Sequence, residues 1–126
     1  MKLLLDTHVF VWAATQPTQL SMMASRALRD PENEVFVSAV SAYEIEYKRD
    51  RDALLQRMPD DLDDAVRLQG LAWLPMTAPH GAAAARLAPH HRDPWDRILV
   101  AQAILEDLHL VTIDQKLAGY GVPTLW

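Results

Sequence analysis

Two aspartates come directly after short apolar runs that are typical of buried β-strands. Asp6 follows the run at residues 3–5, and Asp114 follows the run at residues 110–113. In open parallel sheets, ligands bind in the crevice outside the carboxyl ends of the strands. We therefore expect both carboxylates at the same edge of one sheet, where they would face a bound ligand.

Three further acids are expected near this edge. Glu44 lies early in a predicted helix that follows the second strand. Asp93 and Asp96 lie at the start of the longest predicted helix, three residues apart, so they share one helix face. Carboxylates packed this closely repel one another and need either raised pKa values or metal cations. Because oxygen ligands favour hard ions, the cluster predicts a site for Mg2+ or Mn2+.

Each of these acids also has a purely structural interpretation. Asp6 is well placed to cap the first helix, and Asp114 is a residue type that commonly starts a turn. Asp93 precedes Pro94, and an aspartate N-cap followed by proline at the first helical position is a common helix start. The joint placement of the acids is therefore more specific than any one of them.

The remaining two acids have structural alternatives as well. Asp96 would lie in the first turn of its helix, where a negative charge is favoured by the helix dipole. Glu44 has mostly apolar neighbours, and a partly buried carboxylate needs a partner. Lys48, one helical turn further on, is a candidate for that partner.

Strands that alternate with helices are predicted to position these residues. Strands are predicted at residues 2–5, 35–37, 71–74, 109–113 and 122–125. Helices are predicted at residues 7–15, 21–28, from Ser38 or Ser41 past Tyr47, at 52–70 with an interruption near Pro59, at 78–88 and at 94–107. This alternation predicts an α/β fold with a mostly parallel sheet and helices on both faces.

Composition limits the class of protein. The chain has 126 residues, which fits one domain over residues 1–126, and half of its residues are hydrophobic. The absence of cysteine excludes disulfides and thiolate metal sites, and no apolar segment is long enough for a signal peptide or a membrane span. We therefore expect a cytoplasmic protein without membrane contact. The net charge of -5 lacks the basic excess of most nucleic-acid binders, but it is compatible with a nuclease that holds cations.

Four stretches carry the acids: Leu4-Leu5-Asp6-Thr7-His8, residues 37–45 ending in Tyr43-Glu44-Ile45, residues 90–103 with the core Asp93-Pro94-Trp95-Asp96-Arg97, and Val111-Thr112-Ile113-Asp114. In this order they resemble the PIN domain family, and more narrowly the VapC-type toxins of bacterial toxin–antitoxin pairs. Together they span nearly the whole chain. The combination is specific, although each stretch alone is a weak signal.

The resemblance implies both a fold and a site. It implies a three-layer α/β/α sandwich with about five strands, and a metal-dependent endoribonuclease that uses Mg2+ or Mn2+. The metal ligands of the family correspond to Asp6, Glu44, Asp96 and Asp114, and Asp93 is an additional catalytic acid. A substrate of RNA, a cognate antitoxin protein and a homodimer are implied as partners.

Four residues near the acids are candidates for substrate binding. By the same resemblance, the hydroxyl residues near the metal correspond to Thr7 and Thr112. Arg92 and Arg97 flank the acidic helix start, where they could bind RNA phosphates. The alternative for both arginines is a salt bridge to Asp93 or Asp96, and the sequence leaves the two interpretations open.

Two groups of residues have simpler explanations. His90 and His91 are adjacent, and neighbouring side chains on an extended segment point in opposite directions, so a shared metal site is not expected. Trp12, Met22 and Met23 fall on the first two predicted helices. Core packing explains them most simply, and a surface for an antitoxin or a second copy is the alternative.

Two other functions remain open from sequence. One is a magnesium-dependent phosphatase in which Asp6 is the covalent nucleophile, but that pattern needs a second aspartate at the position that His8 occupies. The other is a PIN-like module that binds RNA or protein without cleaving anything.

Overall fold

A parallel sheet of five strands, in the order β3-β2-β1-β4-β5, lies at the centre of the fold. The structure is a computed structural model that describes residues 1–126. The strands are β1 (Lys2–Leu5), β2 (Glu34–Ser38), β3 (Ala72–Leu74), β4 (His109–Val111) and β5 (Thr124–Leu125). The predicted α/β fold with about five parallel strands is confirmed.

Six α-helices and four short 3-10 segments connect these strands. The α-helices are α1 (Thr7–Thr15), α2 (Met22–Arg29), α3 (Ala39–Lys48), α4 (Leu62–Leu68), α5 (Ala78–Arg86) and α6 (Pro94–Leu105). The 3-10 segments are Pro17–Gln19, Arg49–Arg51, Leu55–Arg57 and Gln115–Tyr120. None of the helices combines the length and the apolar content of a membrane span.

The central strand β1 is covered on both faces. Leu3 and Leu5 pack with Phe10 in one apolar cluster, whereas Leu4 packs with Leu99 in the other. All three leucines are fully buried, and their alternation between clusters follows from the opposite orientation of successive strand side chains. The molecule therefore has three layers, with helices on either side of the sheet.

The strand order places a crevice beside β1. The chain builds the sheet outward from β1 through β2 to β3, then crosses to the other side of β1 to form β4 and β5. The carboxyl ends of β1 and β4 are held together by a hydrogen bond from the Asp6 amide to the carbonyl of Val111, at 3.0 Å. Such a switch in strand order is where open α/β sheets bind their ligands.

Strand β4 is shorter than the sequence predicts. It ends at Val111 rather than at Ile113, because the side chain of Thr112 accepts a hydrogen bond from the amide of Asp114 at 3.0 Å and turns the chain. Asp114 therefore comes after a short turn instead of directly after the strand, but it remains at the same edge of the sheet.

The prediction of one interrupted helix over residues 52–70 is wrong in its first half. The only α-helix there is α4, and the first half contains just the short 3-10 segment Leu55–Arg57. Asp52 accepts a hydrogen bond from the amide of Leu54, and the guanidinium of Arg49 donates to the carbonyls of Met58 and Pro59. These side chains satisfy backbone groups that would otherwise favour a regular helix.

Arg97 connects α6 to the end of α5. Its guanidinium donates to the carbonyl oxygens of Ala84 and Leu87, both at 2.8 Å, and to that of Ala88 at 3.0 Å. These carbonyls lie at or just beyond the end of α5, where a helix leaves its last acceptors without partners. One side chain thus fixes the turn that leads into the acidic start of α6.

We expect Arg97→Met to lower the free energy of unfolding by about 2 kcal/mol, because it leaves these acceptors without a charged donor. Arg97→Lys should recover only part of the loss, since an ammonium lacks the planar fork. Urea melts would measure both effects, with the exposed Arg86→Met on α5 as the matched control. Equal stabilities of Arg97→Met and Arg86→Met would contradict this role.

Candidate metal centre at the carboxyl edge of the sheet

Asp6 lies at the end of β1 with both carboxylate oxygens engaged. Oδ1 accepts a hydrogen bond from the amide of His8 at 3.2 Å, and Oδ2 accepts one from the hydroxyl of Thr112 at 2.6 Å. Burial raises the pKa of Asp6, and the hydrogen bonds from Thr112 and His8 only partly oppose it. The carboxylate is therefore fixed in place, and its charge is poorly solvated.

Asp96 and Asp114 face each other across the imidazole of His91. The Nε2 atom of His91 lies 3.3 Å from Oδ2 of Asp96 and 3.3 Å from Oδ2 of Asp114. The three potential ligand atoms all lie within 4.8 Å of one another. The carboxylates of α6 and of the turn after β4 are thus brought to one point, as the sequence predicts.

His91 is a member of the site that the sequence analysis missed. Its Nδ1 accepts a hydrogen bond from the amide of Asp93 at 3.1 Å, so in the neutral ring the proton lies on Nε2, toward the two carboxylates. Adjacent histidines do point apart: His90 instead contacts the ring of Tyr120, with ring centroids 5.1 Å apart. The position of His91 two residues before the cap of an acidic helix was the available signal.

Glu44 is buried on α3 and is paired with Lys48. The Nζ atom of Lys48 lies 2.7 Å from Oε2 of Glu44, so the partner expected one helical turn away is present. Burial lowers the pKa of Lys48, but the hydrogen bond and charge of Glu44, with the charges of Asp93 and Asp96, raise it overall. Lys48 is therefore a cation held at the rim of the acids.

The electrostatics show that the acids form one group. The pKa of Asp96 is raised to about 7, first by burial and then by the charges of Asp6, Asp93, Glu44 and Asp114, in that order. All five acids identified in the sequence are therefore close enough to act on one another through the low-dielectric interior.

Three of the aspartates also accept a hydrogen bond from a backbone amide at the start of a helical segment. Oδ1 of Asp6 accepts from the amide of His8 as the N-cap of α1, and Oδ1 of Asp93 accepts from the amide of Trp95 at 2.9 Å as the N-cap of α6. Oδ1 of Asp114 accepts from the amide of Lys116 at 3.0 Å. The capping interpretation is therefore correct for Asp6, Asp93 and Asp114, and capping does not take these aspartates away from the other acids.

The four candidate substrate residues differ in their contacts. The Thr7 hydroxyl is buried against that of Ser41, at 2.7 Å, and the single hydroxyl proton of Thr112 goes to Asp6. The contacts of both threonines favour a role in positioning the elements of the site. Arg97 is engaged with backbone carbonyls and pairs with neither Asp93 nor Asp96, whereas Arg92 is exposed and makes no ion pair.

A cavity of about 130 Å3 opens beside Glu44. Thr7, His8 and Lys48 line it together with apolar residues from α1 and from the segment after α3. A volume of this size accommodates several water molecules, so solvent reaches Glu44 from the side of α1.

The fold and the site define a three-layer α/β protein with an acidic centre at the switch in strand order. The sequence profile of the PIN domain family matches residues 3–122. Ribonuclease VapC22 of Mycobacterium tuberculosis is 32% identical over 133 aligned positions, which cover 98% of this chain and 97% of that protein. The chain belongs to the PIN domain family.

Solved structures with the same fold include members of toxin–antitoxin complexes. The chain is similar to one in VapBC2 from Rickettsia felis bound to a promoter DNA fragment, with a TM-score of 0.72 and 15% identity over 99% of this chain and 98% of that one. It is also similar to one in a toxin–antitoxin complex from Klebsiella pneumoniae, with a TM-score of 0.62 and 20% identity over 98% and 95% of the two chains. These likenesses confirm the PIN-type sandwich.

We expect Asp96 to make the metal-free protein less stable as the pH rises from about 4 to about 7. Its pKa of about 7 in the folded state exceeds that of an unfolded aspartate, so the folded state binds the extra proton in this window and loses it at the top. Asp96→Asn removes this dependence. Urea melts in EDTA should show the variant to be more stable than the parent at about pH 8, with a difference that shrinks toward pH 4.

Asp93 should behave in the opposite way, because its carboxylate satisfies a backbone amide. Asp93→Ala should lower the free energy of unfolding by about 1 kcal/mol, whereas Asp93→Asn should change it little, since asparagine caps helices about as well as aspartate. The same melts would measure both variants. Equal losses for alanine and asparagine would show that the charge rather than the cap matters at this position.

Proposed function

We propose that the protein is a divalent-metal-dependent endoribonuclease and the toxin of a toxin–antitoxin pair. The observation that carries this proposal is the convergence of Asp6, Glu44, Asp96 and Asp114 at the switch in strand order. The name Ribonuclease VapC22, given to a relative that aligns over nearly the full chain, supports RNA as the substrate.

The donor set fits a hard divalent cation. The acids offer oxygen atoms only, and burial together with the negative charges of the other four acids raises the pKa of Asp96 to about 7. Asp6, Glu44, Asp96 and Asp114 would hold Mg2+ or Mn2+, which both prefer such ligands. When bound, the ion lowers the pKa of a water molecule and offsets charge on the phosphate oxygens.

The side chains of this chain prepare the site for phosphodiester hydrolysis. The caps and the Thr112 hydrogen bond fix Asp6 and Asp114, so their carboxylates need little reordering when substrate arrives. Glu44 and Asp96 are suited to orient the attacking water. The water attacks phosphorus in line with the leaving 3′ oxygen, so the products carry a 5′-phosphate and a 3′-hydroxyl.

Two cations near the acids can meet the charge of the RNA strand. Lys48 already neutralises Glu44, and Arg92 lies exposed just before Asp93 without an ion pair. Arg92 is therefore the better candidate for a phosphate contact. Thr7, Thr112 and Arg97 act in the proposed site by holding its elements in position.

The other functions considered are less well supported. A phosphatase with Asp6 as the nucleophile needs a second aspartate two residues later, and His8 occupies that position with its side chain largely exposed. A binding module without catalysis would not need five carboxylates close enough to repel one another. An assay with and without metal separates it from the nuclease.

The partners we propose are a cognate antitoxin protein and a second copy of the chain. The descriptions of the Rickettsia and Klebsiella complexes support the antitoxin. Met22 and Met23 on α2 are largely exposed, and Trp12 on α1 contacts Trp126, with ring centroids 6.0 Å apart. These residues provide an apolar surface on which a protein partner can bind.

We expect the purified protein to cleave labelled single-stranded RNA in Mn2+ or Mg2+ and to be inactive in EDTA. Asp6→Asn and Asp96→Asn should each abolish cleavage, whereas Asp93→Asn should retain much of it. The exposed Asp60→Asn serves as the matched control and should behave as the parent. Gel electrophoresis with analysis of the product ends measures the outcome.

Cleavage that persists in EDTA would exclude the proposed metal mechanism. Activity in Asp96→Asn but not in Asp93→Asn would exchange the roles of these two acids.

A further inference from the structure

An exposed cluster of aromatic rings lies directly beside the acids. Tyr43 and Tyr47 on α3 are 59% and 57% exposed, and their rings are nearly parallel, with an interplanar angle of 13° and centroids 5.9 Å apart. Trp95 on α6 lies against both, with ring centroids 5.2 Å from Tyr43 and 6.5 Å from Tyr47. We call these three residues the aromatic platform.

The platform is joined to the acids through the backbone. Tyr43 immediately precedes Glu44, and Trp95 immediately precedes Asp96. The Cα atoms in each of these two pairs therefore lie about 3.8 Å apart. Tyr47 likewise precedes Lys48, the partner of Glu44. The exposed rings therefore lie on α3 and α6, the two helices that carry Glu44 and Asp96.

We propose that the aromatic platform stacks unpaired bases of the RNA strand next to the bond that is cleaved, an inference that rests on the proposed function. Aromatic side chains bind single-stranded nucleic acids in this way because every base has a flat π-face. The guanidinium of Arg51 lies over the ring of Tyr47, at 4.9 Å from its centroid, and adds a positive charge at the edge of the platform.

The charge of the protein explains why stacking is needed. The net charge is -5 and the site itself is acidic, so attraction of phosphates contributes less to the affinity for RNA than it does in a basic protein. Stacking is independent of charge and tolerates any base. It therefore supplies binding energy where the acids repel the strand, and it holds the substrate in register with them.

The size of the platform favours bases over a protein partner. Tyrosine side chains that are a little more than half exposed offer roughly 200–300 Å2 between the two of them. A stable protein interface needs about 800 Å2 on each partner.

The test measures RNA binding in the Asp6→Asn background, in which the strand is not cut. The probe is a labelled single-stranded oligoribonucleotide of mixed sequence, and its affinity is followed by fluorescence anisotropy. Tyr43→Ala and Tyr47→Ala should each lose about tenfold in affinity, which equals about 1.4 kcal/mol and lies within the range for base stacking. Tyr43→Phe and Tyr47→Phe should bind within about twofold of the parent, because they keep the ring.

An abasic strand of the same length separates stacking from other effects. It carries the same phosphates without bases, so the alanine variants and the parent should bind it equally. The salt dependence of RNA binding should also be unchanged, since stacking releases no counterions. Leu68→Ala, which removes another exposed apolar side chain on α4, is the matched control and should leave both affinities unaltered.

Three results would overturn the proposal. One is an equal loss of affinity for RNA and for the abasic strand in the alanine variants. Another is a fall in sedimentation mass on Tyr43→Ala or Tyr47→Ala that accompanies the loss of RNA affinity, which would make the platform a contact between two copies. The third is metal-dependent cleavage by the parent with no change in affinity on removing either ring; in that case the proposed function stands and the platform fails. If the parent cleaves no RNA, both fail.

Discussion

Repulsion among carboxylates at one edge of the sheet is the constraint on which this structure depends. Asp96 is partly buried among four other acids, and the chain provides only limited compensation. Lys48 neutralises Glu44, and the Nε2 proton of His91 lies between Asp96 and Asp114. The fold therefore keeps an excess of negative charge in a confined space, which a divalent cation would relieve. Apolar residues packed at this edge would make the protein more stable than the clustered carboxylates do.

The two oxygens of one carboxylate have different partners, and this explains how the fold tolerates so many acids at one edge. At Asp6 and Asp114, Oδ1 accepts a hydrogen bond from a backbone amide at the start of a helical segment, whereas Oδ2 accepts from Thr112 at Asp6 and faces His91 at Asp114. The sequence predicted both acids and their common edge, because the buried run at residues 3–5 and the alternation of strands with helices determine a parallel sheet. It left capping and ligation as alternatives, since residue type alone does not say that one side chain does both.

Other parts of the site depend on contacts that no local pattern reveals. The orientation of His91 is determined by a hydrogen bond from the amide of Asp93 to Nδ1, which exists only in this particular turn. Arg97 was expected near phosphates or acids because of its charge, yet the end of α5 presents carbonyls that its guanidinium satisfies. The segment after α3 does not form the predicted regular helix for a similar reason, since the guanidinium of Arg49 donates hydrogen bonds to the carbonyls of Met58 and Pro59. The backbone partners of such long side chains depend on the tertiary structure and cannot be identified from the local sequence.

The hydrogen bond between Thr112 and Asp6 joins residues that are 106 positions apart. During translation, β1 leaves the ribosome first, and Asp114 follows only after β4 has been made, at about 5–20 residues per second. A nascent chain thus carries Asp6 and Glu44 for several seconds without the acids that complete the cluster. Contacts of such long range also form slowly after release. The cluster of acids is therefore incomplete until β4 and the turn after it have folded against β1.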